Sequence, residues 1–147
     1  MRNIFLVLAC ILLFLSSGCG EKVSVTGRVT FSDDGSPVSS GSICFVSGNW
    51  MARGEIDENG YYKAGTISKN DGLPKGTYSV YIGGARKQTG TVKTLMIDNN
   101  DPSKTIEKDE PIYEELIDPK FCDPVMSGLT IEVNGSTRFD VVVDRKR

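Results

Sequence analysis

From Val23 onward the apolar positions alternate. Val23, Val25, Val29 and Phe31 are interleaved with Ser24, Thr26, Arg28 and Thr30, the period of two that a half-buried strand requires. Asp33-Asp34-Gly35-Ser36-Pro37 then carries turn chemistry, and Ile43-Cys44-Phe45-Val46 is a more continuous apolar run that predicts a deeper strand. Met51 to Ile56 predicts a weaker strand, and Asp57-Glu58-Asn59-Gly60 turns the chain into Tyr61-Tyr62-Lys63-Ala64. After Leu73-Pro74-Lys75-Gly76, the positions Tyr78, Val80 and Ile82 alternate with Thr77, Ser79 and Tyr81.

The alternation returns at the end of the chain, with Leu129, Ile131 and Val133, then Asn134-Gly135, then Phe139, Val141 and Val143. Asn-Gly between two alternating runs predicts a tight hairpin, because both residues tolerate positive φ. No helical period is sustained, and the one expected turn of helix is Ile112 to Ile117, opened by Pro111. The fold expected is all-β, a single antiparallel sandwich of about seven strands.

Residues 83–126 break the pattern. They hold Gly83-Gly84, Arg86-Lys87, Asp98-Asn99-Asn100-Asp101-Pro102 and Glu107-Lys108-Asp109-Glu110, with apolar content only at Val92 to Ile97 and around Ile112. The expectation is a long irregular insertion before the last hairpin. Connections of this length are often functional, so a partner-specific surface is sought here first.

The opposite extreme lies at the amino terminus. Ile4 to Leu15 is unbroken apolar chain, shorter than the roughly 20 residues that cross a bilayer core. Arg2 precedes it and Ser16, Ser17 and Gly18 follow, the order of a cleaved secretory signal. Leu15-Ser16-Ser17-Gly18-Cys19 resembles the lipobox of bacterial lipoproteins, although Ser16 stands where that family usually has Leu. The resemblance implies a signal peptide over 1–18, a thioether-linked lipid on Cys19 and a short tether over 19–22. Several acyl chains at about 0.8 kcal/mol per buried methylene would hold a domain at a membrane without a spanning helix. Gly20 after the cysteine tilts the expected address toward an outer membrane or cell surface.

Removing 18 residues from 147 leaves 129, one domain's worth. Charges of both signs are interspersed and the net charge of the whole chain is −2, so nothing draws nucleic acid electrostatically. Cys10 leaves with the signal and Cys19 takes the lipid, so Cys44 and Cys122 remain. They could close a disulfide or stay as two separate thiols, and the pattern leaves both open.

Val25-Thr26-Gly27-Arg28-Val29, Asp34-Gly35-Ser36-Pro37-Val38, Asp57-Glu58-Asn59-Gly60-Tyr61 and Pro74-Lys75-Gly76-Thr77-Tyr78-Ser79-Val80 are similar to the carboxypeptidase regulatory-like, transthyretin-like domains. The later Asp118-Pro119-Lys120-Phe121-Cys122-Asp123-Pro124 and Ser127 to Val133 resemble the closing pattern of small planctomycete-type lipoproteins built from one such domain. The resemblance implies a seven-stranded prealbumin-like sandwich over 23–147, exported and anchored, without an established activity.

The chain has no histidine. Zinc carboxypeptidases and transthyretin-related hydrolases depend on histidines, and Ser-His or Cys-His nucleophilic systems lack their base. No catalytic residue, cofactor or metal site is expected, since neither Asp57 to Gly60 nor Asp98 to Asp101 has a spaced calcium loop with a closing glutamate. The expectation is a non-catalytic module that binds or scaffolds another envelope component. The alternative is carbohydrate binding through aromatics, with Trp50, Tyr62 and Tyr81 as contacts and Tyr61 and Tyr113 in the wider set.

Overall fold

The computed structural model describes residues 21–66 and 68–147. The expected signal segment 1–18 and the expected lipidation site Cys19 lie outside the described residues. Twelve strands are present: β1 (Lys22–Val23), β2 (Val25–Phe31), β3 (Ser42–Ser47), β4 (Trp50–Glu55), β5 (Tyr61–Lys63), β6 (Leu73–Pro74), β7 (Gly76–Gly83), β8 (Arg86–Asp98), β9 (Asp101–Glu115), β10 (Leu129–Val133), β11 (Thr137–Arg138) and β12 (Val141–Val143). Among the described residues the one helical piece is a 3-10 turn, Pro119–Cys122. The protein is all-β.

Two sheets face a common core. One is antiparallel in the order β10-β7-β3-β4; in the other, β2 lies between β5 on one edge and β11 and β12 on the other. Alternation decides which side chains meet: Val25, Val29 and Phe31 of β2 point inward toward Ile43 and Phe45 of β3 and Tyr78, Val80 and Ile82 of β7. Phe45 and the ring of Tyr62 pack at 6.0 Å between centroids. The short β1–β6 pair closes one end and makes Lys22 the first strand residue rather than the last of a tether.

Glycine carries one close approach. An added Cβ on Gly27 would lie 1.9 Å from the Phe139 carbonyl oxygen, so only glycine lets residues 137–143 lie against β2. There the ladder is interrupted: the Arg28 N–H donates to the Asp140 carboxylate at 2.9 Å, and Tyr62 donates its hydroxyl to the Phe139 carbonyl at 2.5 Å. The predicted turn at Asp57 to Gly60 is present, held by Asn59 and Tyr61 N–H groups donating to the Asp57 carboxylate, each at 2.9 Å, with Gly60 at φ 81°.

Four expectations are corrected. Asn134-Gly135 does not make a hairpin, because β10 pairs with β7 while β11 and β12 pair with β2 in the other sheet. The segment is a crossover, and Thr137–Arg138 and Val141–Val143 run parallel to β2, so the sandwich is not wholly antiparallel. The region 83–126 is not irregular: most of it is a two-stranded antiparallel ribbon of β8 and β9, turning at Asn99-Asn100. The helical turn expected at Ile112 to Ile117 is strand through Glu115. Pro111 is accommodated opposite Thr91 in the ribbon, not at a helix start.

Candidate interaction surface

The ribbon is built from sequence that alternates less cleanly than the core strands, and its position explains why. No residue from Arg86 to Glu115 is buried, whereas Ala85 and Ile117, just outside it, are at 0% and 1% exposure. The Leu116 N–H donates to the Ala85 carbonyl at 2.9 Å, so the arm leaves the body through one closed gate. At about 3.4 Å per residue, the 13 residues of β8 extend about 40 Å. The unmatched residue at Thr89 is a bulge, with Gln88 opposite Tyr113 and Gly90 opposite Ile112.

The register sorts the side chains onto two faces. Val92 and Met96 share one face with Ile106 and Ile112; Leu95 and Ile97 share the other with Pro111 and Tyr113. Leu95 and Ile97 are 69% and 68% exposed, and of the thirteen large apolar residues exposed among the described residues, seven are on this ribbon. Such concentration is more than the ordinary scatter of single exposed apolar residues.

Charge divides by strand. β8 carries Arg86, Lys87 and Lys93 against Asp98, a net +2; β9 carries six carboxylates against Lys104 and Lys108, a net −4. Lys93 reaches Glu107 at 2.9 Å, Lys104 reaches Asp101 at 3.1 Å, and the Arg86 guanidinium lies 4.2 Å over the Tyr113 ring.

The glycan candidates do not converge. Tyr62 is 5% exposed, and its phenol pKa is raised because burial penalises the phenolate; it is a core residue, which removes it as a contact. Trp50 is 56% exposed and pairs with Ser47, while Tyr81 is half-buried and pairs with Cys44. Ser47 and Cys44 are three positions apart on β3, so Trp50 and Tyr81 lie on opposite faces of that sheet. Tyr81 donates to the Met51 sulfur at 3.8 Å, and Tyr61 is stacked under Arg28 at 5.2 Å.

Cys44 and Cys122 are both free thiols, Cys44 buried on β3 and Cys122 exposed at the end of the 3-10 turn. Burial raises both thiol pKa values, with Glu115 and Asp118 adding to the effect at Cys122. Among the described residues no group of three or more carboxylates and thiols is placed to hold a metal ion.

Three open grooves mark the body. One of about 430 Å³ runs between β4 and β5 past Glu55, Tyr61, Lys63 and Lys69, and it continues into a smaller one of about 220 Å³ beside Arg53 and Thr66. Lys69 and Glu55 pair across them at 2.6 Å in solvent, where such pairs contribute little. The third, about 490 Å³, lies beside Asp144 and Arg145. Arg145 donates to Asp33 at 2.7 Å, to Asp34 at 2.9 Å and to Ser36 at 2.7 Å, and stacks 3.7 Å over Phe31. Its charges are thereby used in closing the turn at residues 33–36. Among the described residues no buried side-chain nitrogen or oxygen lacks a partner.

No protein-family model and no curated protein matches the chain. Among solved structures, a 9R-lipoxygenase from Cyanothece PCC8801 aligns over 95% of this chain and 20% of its own length, at 11% identity and a TM-score of 0.37. This chain thus spans about a fifth of that protein, and the likeness is too low to carry an argument about fold or activity.

Proposed function

We propose that the protein is a non-catalytic module of the cell envelope, anchored through lipid on Cys19, that binds or scaffolds another envelope component. The observation that supports this is the ribbon of β8 and β9, an arm whose two apolar faces are covered by no other described residue. An isolated two-stranded hairpin is marginal in water, and a third strand or a packing surface is what gives it independent stability. An arm of this kind is therefore a contact organ. A prealbumin-like body, the fold that the carboxypeptidase regulatory-like resemblance implies, would give the arm a base of two facing sheets.

Carbohydrate binding has less in its favour, since its aromatic candidates are split between the core and two faces. The test is proximity cross-linking in native membranes. Wild-type chain is expected to capture defined neighbours through photo-reactive residues at Leu95 or Ile97, and a chain with residues 88–113 replaced by a two-residue turn is expected to lose them. Identical capture by both chains overturns the ribbon's role.

A further inference from the structure

We propose that the partner of the ribbon is a second copy of this chain, joined edge to edge so that β9 of one molecule pairs with β8 of the next. This rests on the reading of the ribbon as the contact organ and names what it contacts.

The argument begins with unpaired backbone. Among the described residues β8 and β9 pair with each other and with no other strand, so beyond Arg86, whose carbonyl accepts from the Ser40 hydroxyl at 2.9 Å, each presents an outer edge of donors and acceptors, the arrangement that templates addition of another strand. Charge then selects which edge can approach. Two β9 edges would bring −4 against −4 and two β8 edges +2 against +2, so the symmetric pairings are repulsive. The unlike edges attract.

Register makes the match specific. Within one ribbon Arg86 stands opposite Glu115, Lys87 opposite Glu114 and Lys93 opposite Asp109. A second ribbon translated sideways places its β8 beside the first ribbon's β9 in antiparallel sense and repeats all three pairings. Lys93 already leans to Glu107 rather than Asp109, and among the described residues Asp109, Glu114 and Glu115 take no salt bridge. Three acids in register are thus open to three cations of a neighbour. The same translation sets Met96 beside Ile106 and extends each apolar face across the seam.

A contact between unlike edges leaves one edge free at each end, so it grows by addition instead of stopping at a dimer. Strand twist of about 20–25° per strand turns each ribbon relative to the last, so the bodies fan out around the row.

Sedimentation velocity of the full chain in density-matched detergent tests this. Wild type is expected to show concentration-dependent species beyond the dimer. Lys87→Glu with Lys93→Glu makes both edges acidic, and Asp109→Lys with Glu114→Lys takes β9 from −4 to 0 and sets lysine opposite Lys93 and Lys87; each double variant is expected to lose every species heavier than monomer. An equimolar mixture of the two, and separately a chain carrying all four substitutions, should reassociate, which a merely misfolded ribbon would not do. Monomer at every concentration, or wild-type assembly by either double variant, overturns the proposal. If wild type is monomeric yet its ribbon still captures a different envelope protein, self-assembly falls while the scaffold reading stands; if excising the ribbon changes neither capture nor assembly, both fall.

Discussion

At the residue scale the body is most sensitive where backbone passes backbone. Gly27→Ala forces a methyl group into the Phe139 carbonyl, a neighbour that cannot rotate away, and is expected to cost about 3 kcal/mol in chemical denaturation. The glycine was visible in the sequence as part of the Val25 to Val29 motif. Its reason was not, since Phe139 is 112 positions away. Asp34 shows a polar counterpart: the hydroxyl and backbone N–H of Ser36, with the Arg145 guanidinium, hold its carboxyl at about 2, below its ordinary 3.8. A lowered folded pKa means that the ionised form is favoured in the fold. The contribution is present above about pH 4 and disappears as pH falls through 2. Carboxyl NMR should place the midpoint near 2, and Ser36→Ala should move it upward. For the thiols, maleimide labelling followed by peptide mapping should mark exposed Cys122 first and buried Cys44 only on unfolding, both slowly at neutral pH because the thiolates are disfavoured. Recovery of a Cys44–Cys122 linked peptide would contradict this.

At the element scale the ribbon and the body are separable. Replacing residues 88–113 by a two-residue turn keeps Arg86 opposite Glu115 and the Leu116 to Ala85 hydrogen bond, and removes no buried side chain. The body is expected to keep its thermal unfolding transition with a change below about 1 kcal/mol; loss of cooperative unfolding would show that the arm is part of the core. The strands of the core were legible because each has one wet and one dry face. β8 and β9 were not, because both their faces are exposed in the monomer and neither imposes an alternating pattern. The Asn134-Gly135 signal failed for a related reason: β10 gains more by pairing with β7, and Val141 and Val143 by entering the core beside β2, than either gains from a local turn.

At the scale of the whole molecule, the proposed anchor on Cys19 would decide what the arm can reach. Cys19→Ser is expected to abolish incorporation of labelled fatty acid and release the domain from membranes, and continued labelling would contradict the lipid assignment. Just behind that cysteine the chain is already strapped down: Lys22 pairs with Asp71 at 2.5 Å, and Glu21 with Lys75 at 3.1 Å. Lys22 first, and then the Thr66 N–H, hold the Asp71 carboxyl well below the usual carboxylate range.

The sequence by itself determined the strand positions with one buried face, the turn at Asp57 to Gly60, the missing imidazole chemistry and the expected address, because each is a local property of residue order. Only the tertiary structure decided that Tyr62 is core, that the last strands run parallel to β2, and that the supposed irregular insertion is an arm. Those depend on which strand is each strand's neighbour, a competition among distant segments for the same backbone donors and the same dry surface.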